Sequence, residues 1–374
     1  MSELPDHIWV RDAAALAELG AALREASWVG LDSEANSMFA YRERVCLIQL
    51  NVGGVLWVLD GLALAGSLAP LAAPLADPQL RIWVHGGGND VAGLKRDFGL
   101  SFANVFDTQQ AASFLGWQRT GYAAVVEAIC GARLAKEHTQ YDWGQRPISD
   151  EALRYALDDV IHLPEIGAEL HSLIRAADLE EELELANRSI EQVTASEPGF
   201  DLARMWKLKG ATELRPDRAP VLAALYAWRD EKGRLLDYPP GRLIANEPLV
   251  YLAQRAPQDE QELKKIRLRG AFVREYGDEL LEVIRKALAE PPEPPPKPKR
   301  KRSPAAEGAR DKALRSWRRE EAERRELPAH VILPPRALDW LAKHGAAQLD
   351  ECPELGGKRI ERYGATLLRL CAGA

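Results

Sequence analysis

The chain has 374 residues, with 49 Lys and Arg against 56 Asp and Glu for a formal net charge of −7, 46% hydrophobic residues and four cysteines. That length favours two or three cores over one, and the apolar share is ample to fill them. No apolar run could span a bilayer and no signal peptide is read. Cys46, Cys130, Cys352 and Cys371 form no C-x-x-C pair, so neither a zinc site nor a disulfide framework is indicated and a soluble cytoplasmic chain is expected.

In chain order, HIWV reads as a strand, AALAELGAALREA as a helix and WVGLDSE as a strand that ends in acid. VCLIQLNV and VLWVLD flank a Gly-Gly turn and read as a hairpin. SLAPLAAPLA follows as a helix and LRIWVHG as a strand, and DEALRYALDDVIHLPEIGAELHSLI reads as one long helix. This alternation predicts an α/β domain, a mixed sheet with helices on its faces.

Three acidic clusters stand on these elements. Asp32 and Glu34 are two apart on a strand and so project to one face. Asp90 follows LRIWV across a Gly-rich turn. Tyr155 and Asp159 are four apart on a helix and share a face. Converging carboxylates repel unless cations hold them, and hard oxygen ligands suit Mg²⁺ or Mn²⁺. Two such ions, about 3.5–4 Å apart, would clamp the attacking and leaving oxygens of an in-line displacement at phosphorus. With an ordinary pKa near ~10, Tyr155 is a poor base at neutral pH and is read as orienting the attacking water.

Each residue alone has a plainer reading. Asp32 and Glu34 could be a strand end meeting solvent, Asn89 or Asp90 a helix cap, Tyr155 core, and Asp158 a solvated neighbour. Asp107 and Thr108 in FDTQQAA read as a helix start, while His85 and His138 flank the clusters as lone, structural histidines. GGGNDVAGLK is no phosphate loop, since Leu94 and then Lys95-Arg96 stand where Lys-Ser/Thr is required.

The clusters as a set resemble ribonuclease D, in the tyrosine branch of the DEDD 3′→5′ exonucleases. The resemblance rests on LDSEANSMFAYRERVCLIQL, VHGGGNDVAGLKRDFGL with FDTQQAA, and YDWGQRPISDEALRYALDDVIHL, in the family's order over roughly residues 7–190. It implies a ribonuclease-H-like fold, metal-binding roles for Asp32, Glu34, Asp90 and Asp159, and the tyrosine's role for Tyr155. Ala35 stands where many bacterial relatives carry an aromatic residue. ANSMFAYRERVC and KRDFGL are closer to the exonuclease subunit of the eukaryotic nuclear exosome, and Tyr122 replaces a usual aliphatic residue.

Beyond the acidic stretch DLEEELELANRSIEQ, read as a helix joining domains, lies a weak repeat. Trp228-Arg229 corresponds to Trp317-Arg318, and Tyr276-Gly277 to Tyr363-Gly364. Both copies resemble the helicase-and-RNase-D C-terminal (HRDC) domain and imply small helical bundles. The expected organisation is an exonuclease domain over 1–195, a first bundle over 210–290, a proline-rich then basic linker over 291–304, and a second bundle over 305–374. The linker's basic half, with ELKKIRLRGAFVRE, could touch phosphates, although the net charge of −7 points to modest binding. The resemblance implies a metal-dependent exoribonuclease that trims RNA 3′ ends, tRNA precursors among them. A DNA exonuclease and a non-catalytic nucleic-acid adaptor remain open alternatives.

Overall fold

The structure, a computed structural model, describes residues 4–64, 68–134, 141–195, 199–298 and 304–373. His138 and most of the basic half of the linker lie outside the described residues. The chain divides into two compact units. One holds Met1–Ala35, Val45–Ser196 and Arg302–Ala374; the other holds Asn36–Arg44 and Glu197–Lys301. No described helix is long and apolar enough to cross a membrane.

The first unit opens with β1 (Ile8–Val10), α1 (Ala13–Glu25), β2 (Trp28–Ala35), β3 (Val45–Val52) and β4 (Val55–Asp60). Then come α2 (Ala69–Leu75), β5 (Arg81–Val84), α3 (Gly88–Phe98), β6 (Val105–Asp107), α4 (Thr108–Phe114) and α5 (Tyr122–Cys130). α6 (Asp150–Ile161), α7 (Leu163–Ala176) and α8 (Glu180–Glu191) complete this part. The six strands form one mixed sheet in the order β1-β4-β3-β2-β5-β6. β3 and β4 are the expected hairpin. Gly53 and Gly54 both take positive φ, +60° and +95°, which this tight turn requires and which glycine adopts without strain.

Alternation on β2 separates the two faces. Val29 and Leu31 join a core with Leu16, Leu19 and Leu23 of α1 and Val91 and Leu94 of α3. The opposite face packs on Val125 and Val126 of α5, Leu157 and Val160 of α6, and Ile166 and Leu170 of α7. The result is the expected α/β arrangement, a sheet between two helical layers.

Three local features depart from the sequence reading. The long C-terminal helix is two, broken at His162, where Pro164 in the first turn of α7 removes a backbone donor. β6 is a strand of only three residues, too short to show a period. α8 stays within the first unit and covers that edge strand. The N–H of Val105 donates to the Glu191 carboxylate at 2.8 Å, and the N–H of Asp107 to the Asn187 side chain at 3.4 Å.

α14 (Ala305–Arg325), α15 (Ala329–Ile332), α16 (Pro335–His344) and α17 (Gly356–Ala372) form a bundle inside the first unit, with α17 against α8. The N–H of Lys358 donates to both Glu181 oxygens at 3.1 and 3.3 Å, so a carboxylate meets the first turn of α17. The Lys358 ammonium pairs with Asp178 at 2.5 Å.

The second unit contains α9 (Ala219–Leu235), α10 (Pro240–Leu243), α11 (Asn246–Arg255), α12 (Glu260–Leu263) and α13 (Gly270–Ala289). Within each copy of the repeat the aligned Trp and Tyr are in contact. Trp228 lies edge-on to Tyr276 at 6.2 Å, and Trp317 edge-on to Tyr363 at 5.3 Å. Arg229 donates to the Ile244 carbonyl and Arg318 to the Ala329 carbonyl. Residues 36–44 also belong to the second unit. The Tyr41 hydroxyl donates to Asp230 at 2.8 Å, and Arg242 donates to the Met38 carbonyl.

Arg146, from the DW-x-x-RP stretch, fastens the segment before α6 to the sheet. Its guanidinium makes two 2.7 Å bonds to Asp60 and others to the carbonyls of Cys46 and Trp143. Burial alone would raise the Asp60 carboxyl. Arg146 and the N–H groups of Ala63 and Leu62 outweigh it and hold the group below its ordinary value. Replacing Arg146 with Met leaves Asp60 without its ion partner and is expected to destabilise the first unit by about 2–4 kcal/mol. Chemical denaturation followed by hydrogen exchange of β3 and β4 would measure this; a loss below ~1 kcal/mol would reduce the contact to a surface pair.

Candidate active site

β2 delivers Asp32 and Glu34 to the sheet face that carries α6. Gly30 shares that face, two residues before Asp32. A Cβ there would lie 3.2 Å from Leu163 Cβ and 3.4 Å from the Val160 carbonyl oxygen. The missing side chain therefore admits the α6–α7 junction against the sheet. Asn51, paired with Gly30 across the strands, donates to the same Val160 carbonyl at 3.3 Å. On the other side Gly167 of α7 sits against the Trp83 ring, where a Cβ would come within 2.5 Å.

This close approach brings Asp159 to Asp32 and Glu34. One ligand oxygen from each of the three lies within 4.8 Å of the others. Asp90, in the first turn of α3, joins them through charge and through Ser33, whose hydroxyl donates to it at 2.6 Å and whose N–H donates at 3.2 Å. Tyr155 lies one turn before Asp159 and packs against Trp143 at 6.4 Å, while Trp143 in turn packs against Tyr141. The chain stretch that Arg146 anchors thus supports the tyrosine. The five residues singled out from sequence converge.

Their electrostatics follow from desolvation with like charges adjacent. Burial, then Asp90, Asp159 and Glu34, push the Asp32 carboxyl well above its ordinary value. Burial, then Asp159 and Asp90, push Glu34 up to about 8, and burial with Asp158 and Asp90 pushes Asp159 up to about 7. Asp90 is raised less freely, because the Ser33 hydroxyl and backbone N–H groups oppose burial there. Burial and the carboxylates together raise Tyr155, so its hydroxyl keeps its proton. The donor set is all oxygen, partly dehydrated and mutually repulsive, which fits a hard divalent cation.

Other residues around this cluster were weakly signalled or unsignalled in the sequence. Gln49 pairs with Asp32 across β2 and β3 and is fully buried, and neither of its amide atoms has a hydrogen-bond partner among the described residues. Only its polarity within a largely apolar strand could have marked it. Asp107 caps α4 as expected, and also accepts from the N–H groups of Gly86 and Gly87, fixing the turn that leads to Asp90. Tyr122 donates its hydroxyl to the Asp158 carbonyl at 3.0 Å. It thus occupies a backbone carbonyl near the end of α6. His85 is held by Thr108 and faces the Tyr122 ring, and burial lowers it to about 4, so it stays neutral. Asp158 is half-buried rather than solvated, and burial raises its carboxyl. A cavity of about 480 Å³ between β6, α7 and α8 is lined by none of the five.

Comparison with known proteins agrees with the geometry. A 3′-5′ exonuclease family matches residues 7–175, and the HRDC domain family matches residues 218–284 and 307–371. The ribonuclease D of Pseudomonas paraeruginosa is 30% identical over 388 aligned residues, covering 99% of each chain. Exosome complex component 10 of Rattus norvegicus is 27% identical over 272 residues, covering 70% of this chain and 30% of that one. Among solved structures, the RNase D of Escherichia coli aligns over 99% of both chains with a TM-score of 0.69 and 26% identity. A likeness this continuous, running through both the acidic cluster and the two bundles, means that the chain belongs to the ribonuclease D family of 3′–5′ exoribonucleases.

Proposed function

We propose that the chain removes nucleoside monophosphates from single-stranded RNA 3′ ends, tRNA precursors among them, with Asp32, Glu34, Asp90 and Asp159 as the ligands of two divalent cations. The observation that carries this reading is the dehydrated carboxylate cluster, with Asp32, Glu34 and Asp159 in mutual reach and Asp90 coupled to them. Bound cations would supply the acidity that makes water nucleophilic at neutral pH and would offset charge on the phosphate. Tyr155 keeps its proton and donates a hydrogen bond that orients the attacking water, because ionising it beside carboxylates is unfavourable. Ser33 holds the Asp90 oxygen that faces β2 and so fixes its rotamer. Trp143 backs the Tyr155 ring and limits its swing.

The direct test uses a 5′-labelled, tRNA-like RNA with a short single-stranded 3′ extension, incubated with Mg²⁺ or Mn²⁺ beside a matched DNA. A ladder of 3′-shortened RNA that disappears in Asp32→Asn is expected. Shortening of the DNA alone would transfer the activity to DNA. A folded protein that binds the RNA and shortens neither strand would make it an adaptor. Tyr155→Phe is expected to lower kcat by roughly 10²-fold with KM little changed; an unchanged kcat would return Tyr155 to a packing role.

Proton linkage gives a second test without substrate. Glu34 at about 8 and Asp159 at about 7 hold protons that the unfolded chain releases near 4.5 and 3.8. Their contribution to stability is therefore greatest at low pH and is lost as pH rises through the folded values. In EDTA, Tm should fall between about pH 5 and about pH 8, and excess Mn²⁺ should restore it mainly at the upper end. A Mn²⁺ effect of equal size at both ends would argue against the carboxylate cluster as the binding site.

A further inference from the structure

We infer that Cys130, His162 and Glu165 form a second metal site, distinct from the carboxylate cluster and selective for a zinc-type ion. One ligand atom from each of these three side chains lies within 4.8 Å of the other two. Nothing in cysteine spacing announces the group, because only one of its members is a cysteine.

Three elements build it. Cys130 is the last residue of α5, which Gly131 ends in the left-handed conformation. His162 is the single residue between α6 and α7, and Glu165 stands in the first turn of α7. The spacing His-x-x-Glu at the start of a helix puts imidazole and carboxylate on one side of it. The packing of α5 on α7 brings the sulfur to them. Burial and the nearby Glu165 carboxylate push the Cys130 thiol up to about 11. Cys130 and His162 are partly buried and Glu165 is exposed, so an ion can enter from solvent.

The ligand types choose the ion. Thiolate with imidazole and one carboxylate is a set for Zn²⁺ or Co²⁺, whereas Mg²⁺ and Ca²⁺ avoid sulfur and nitrogen. Bonds of about 2.3 Å to sulfur and 2.0–2.2 Å to nitrogen and oxygen place tetrahedral ligands about 3.3–3.8 Å apart. The ligand atoms here, within 4.8 Å of one another, lie at most about 1 Å outside that range. Three protein ligands leave the fourth position to water, which makes this an open site rather than a closed structural one. A nucleophilic cysteine triad fits less well. Such a thiol would hydrogen-bond the histidine with the carboxylate behind it, but here thiol, imidazole and carboxylate are all in mutual reach rather than in a relay.

The location gives the site a consequence. His162 closes the helix that carries Asp159, and Tyr122 from the start of α5 donates to the Asp158 carbonyl in the last turn of that helix. An ion at Cys130, His162 and Glu165 would tie the other end of α5 to the same junction. It would fix the junction without touching the carboxylates.

The test is titration of chelator-treated full-length protein with Co²⁺ in excess Mg²⁺, read by thiolate-to-cobalt charge-transfer absorption in the near ultraviolet. Carboxylate-bound Co²⁺ gives no such band, so the signal reports the sulfur site alone and is independent of nuclease activity. One equivalent should saturate the band and Zn²⁺ should abolish it. Cys130→Ser should remove it with an unchanged circular-dichroism spectrum, and Cys371→Ser should leave it intact. His162→Ala should weaken Co²⁺ binding by at least the roughly 10–100-fold that loss of a supporting partner causes. Absence of the band in the parent chain, or its persistence in Cys130→Ser or at full affinity in His162→Ala, would overturn the assignment.

Discussion

Like charges buried together are the constraint on which the rest of this fold turns. Asp32, Glu34, Asp90 and Asp159 each lose water and each acquires acidic neighbours, so each ionised form is disfavoured. A sheet and two helices would not hold such groups in contact by preference. The surrounding structure has to enforce their proximity, and the penalty is relieved by any cation that enters. Affinity for a divalent ion and strain in its absence are therefore two aspects of one arrangement.

The enforcing elements are local and inexpensive. Gly30 has no side chain where the α6–α7 junction arrives, and Asn51 offers that junction a donor. Tyr122 occupies the carbonyl of Asp158 near the end of α6, which gives that buried backbone group a partner. Asp107 fixes the two glycines before α3, and Arg146 locks the entry to α6 on β4. These residues surround the acidic cluster without belonging to it, and together they set the positions of all four carboxylates.

Much of this was legible in the sequence because the strong signals are periodic or stereotyped. The spacing of two on β2 and of four on α6 gave the shared faces, and the Gly-Gly turn gave the hairpin. The Trp and Tyr landmarks of the repeat meet in both bundles. What stayed hidden depends on contacts between distant segments. Apolar periodicity runs through His162 without a visible break, although Pro164 was the available clue. Tyr122 acquires a role only from the backbone it reaches, and Gln49 only from the residue opposite. Glu191 and Asn187 looked like part of an acidic connector, yet they complete the hydrogen bonding of an edge strand.

The two bundles share a plan and differ in what they do with charge. By the register of Tyr276 and Tyr363, Arg359 occupies the position of Phe272, which packs near Trp228 and Tyr276 in the first bundle. Arg359 is 2% exposed, donates to the Val331 and Glu354 carbonyls, and feels Glu182 and Glu181. Lys358 and Arg362 are likewise engaged, both with Asp178. Cations already paired with carboxylates release few counterions to a phosphate backbone and so add little to nucleic-acid affinity. Lys265, Arg267 and Arg274 of the first bundle remain exposed. The start of the last helix is therefore a packing surface in one copy of the repeat, while in the other it is flanked by exposed cations. In a chain with a net charge of −7, exposed basic positions of this kind supply the local positive charge that an anionic substrate would meet.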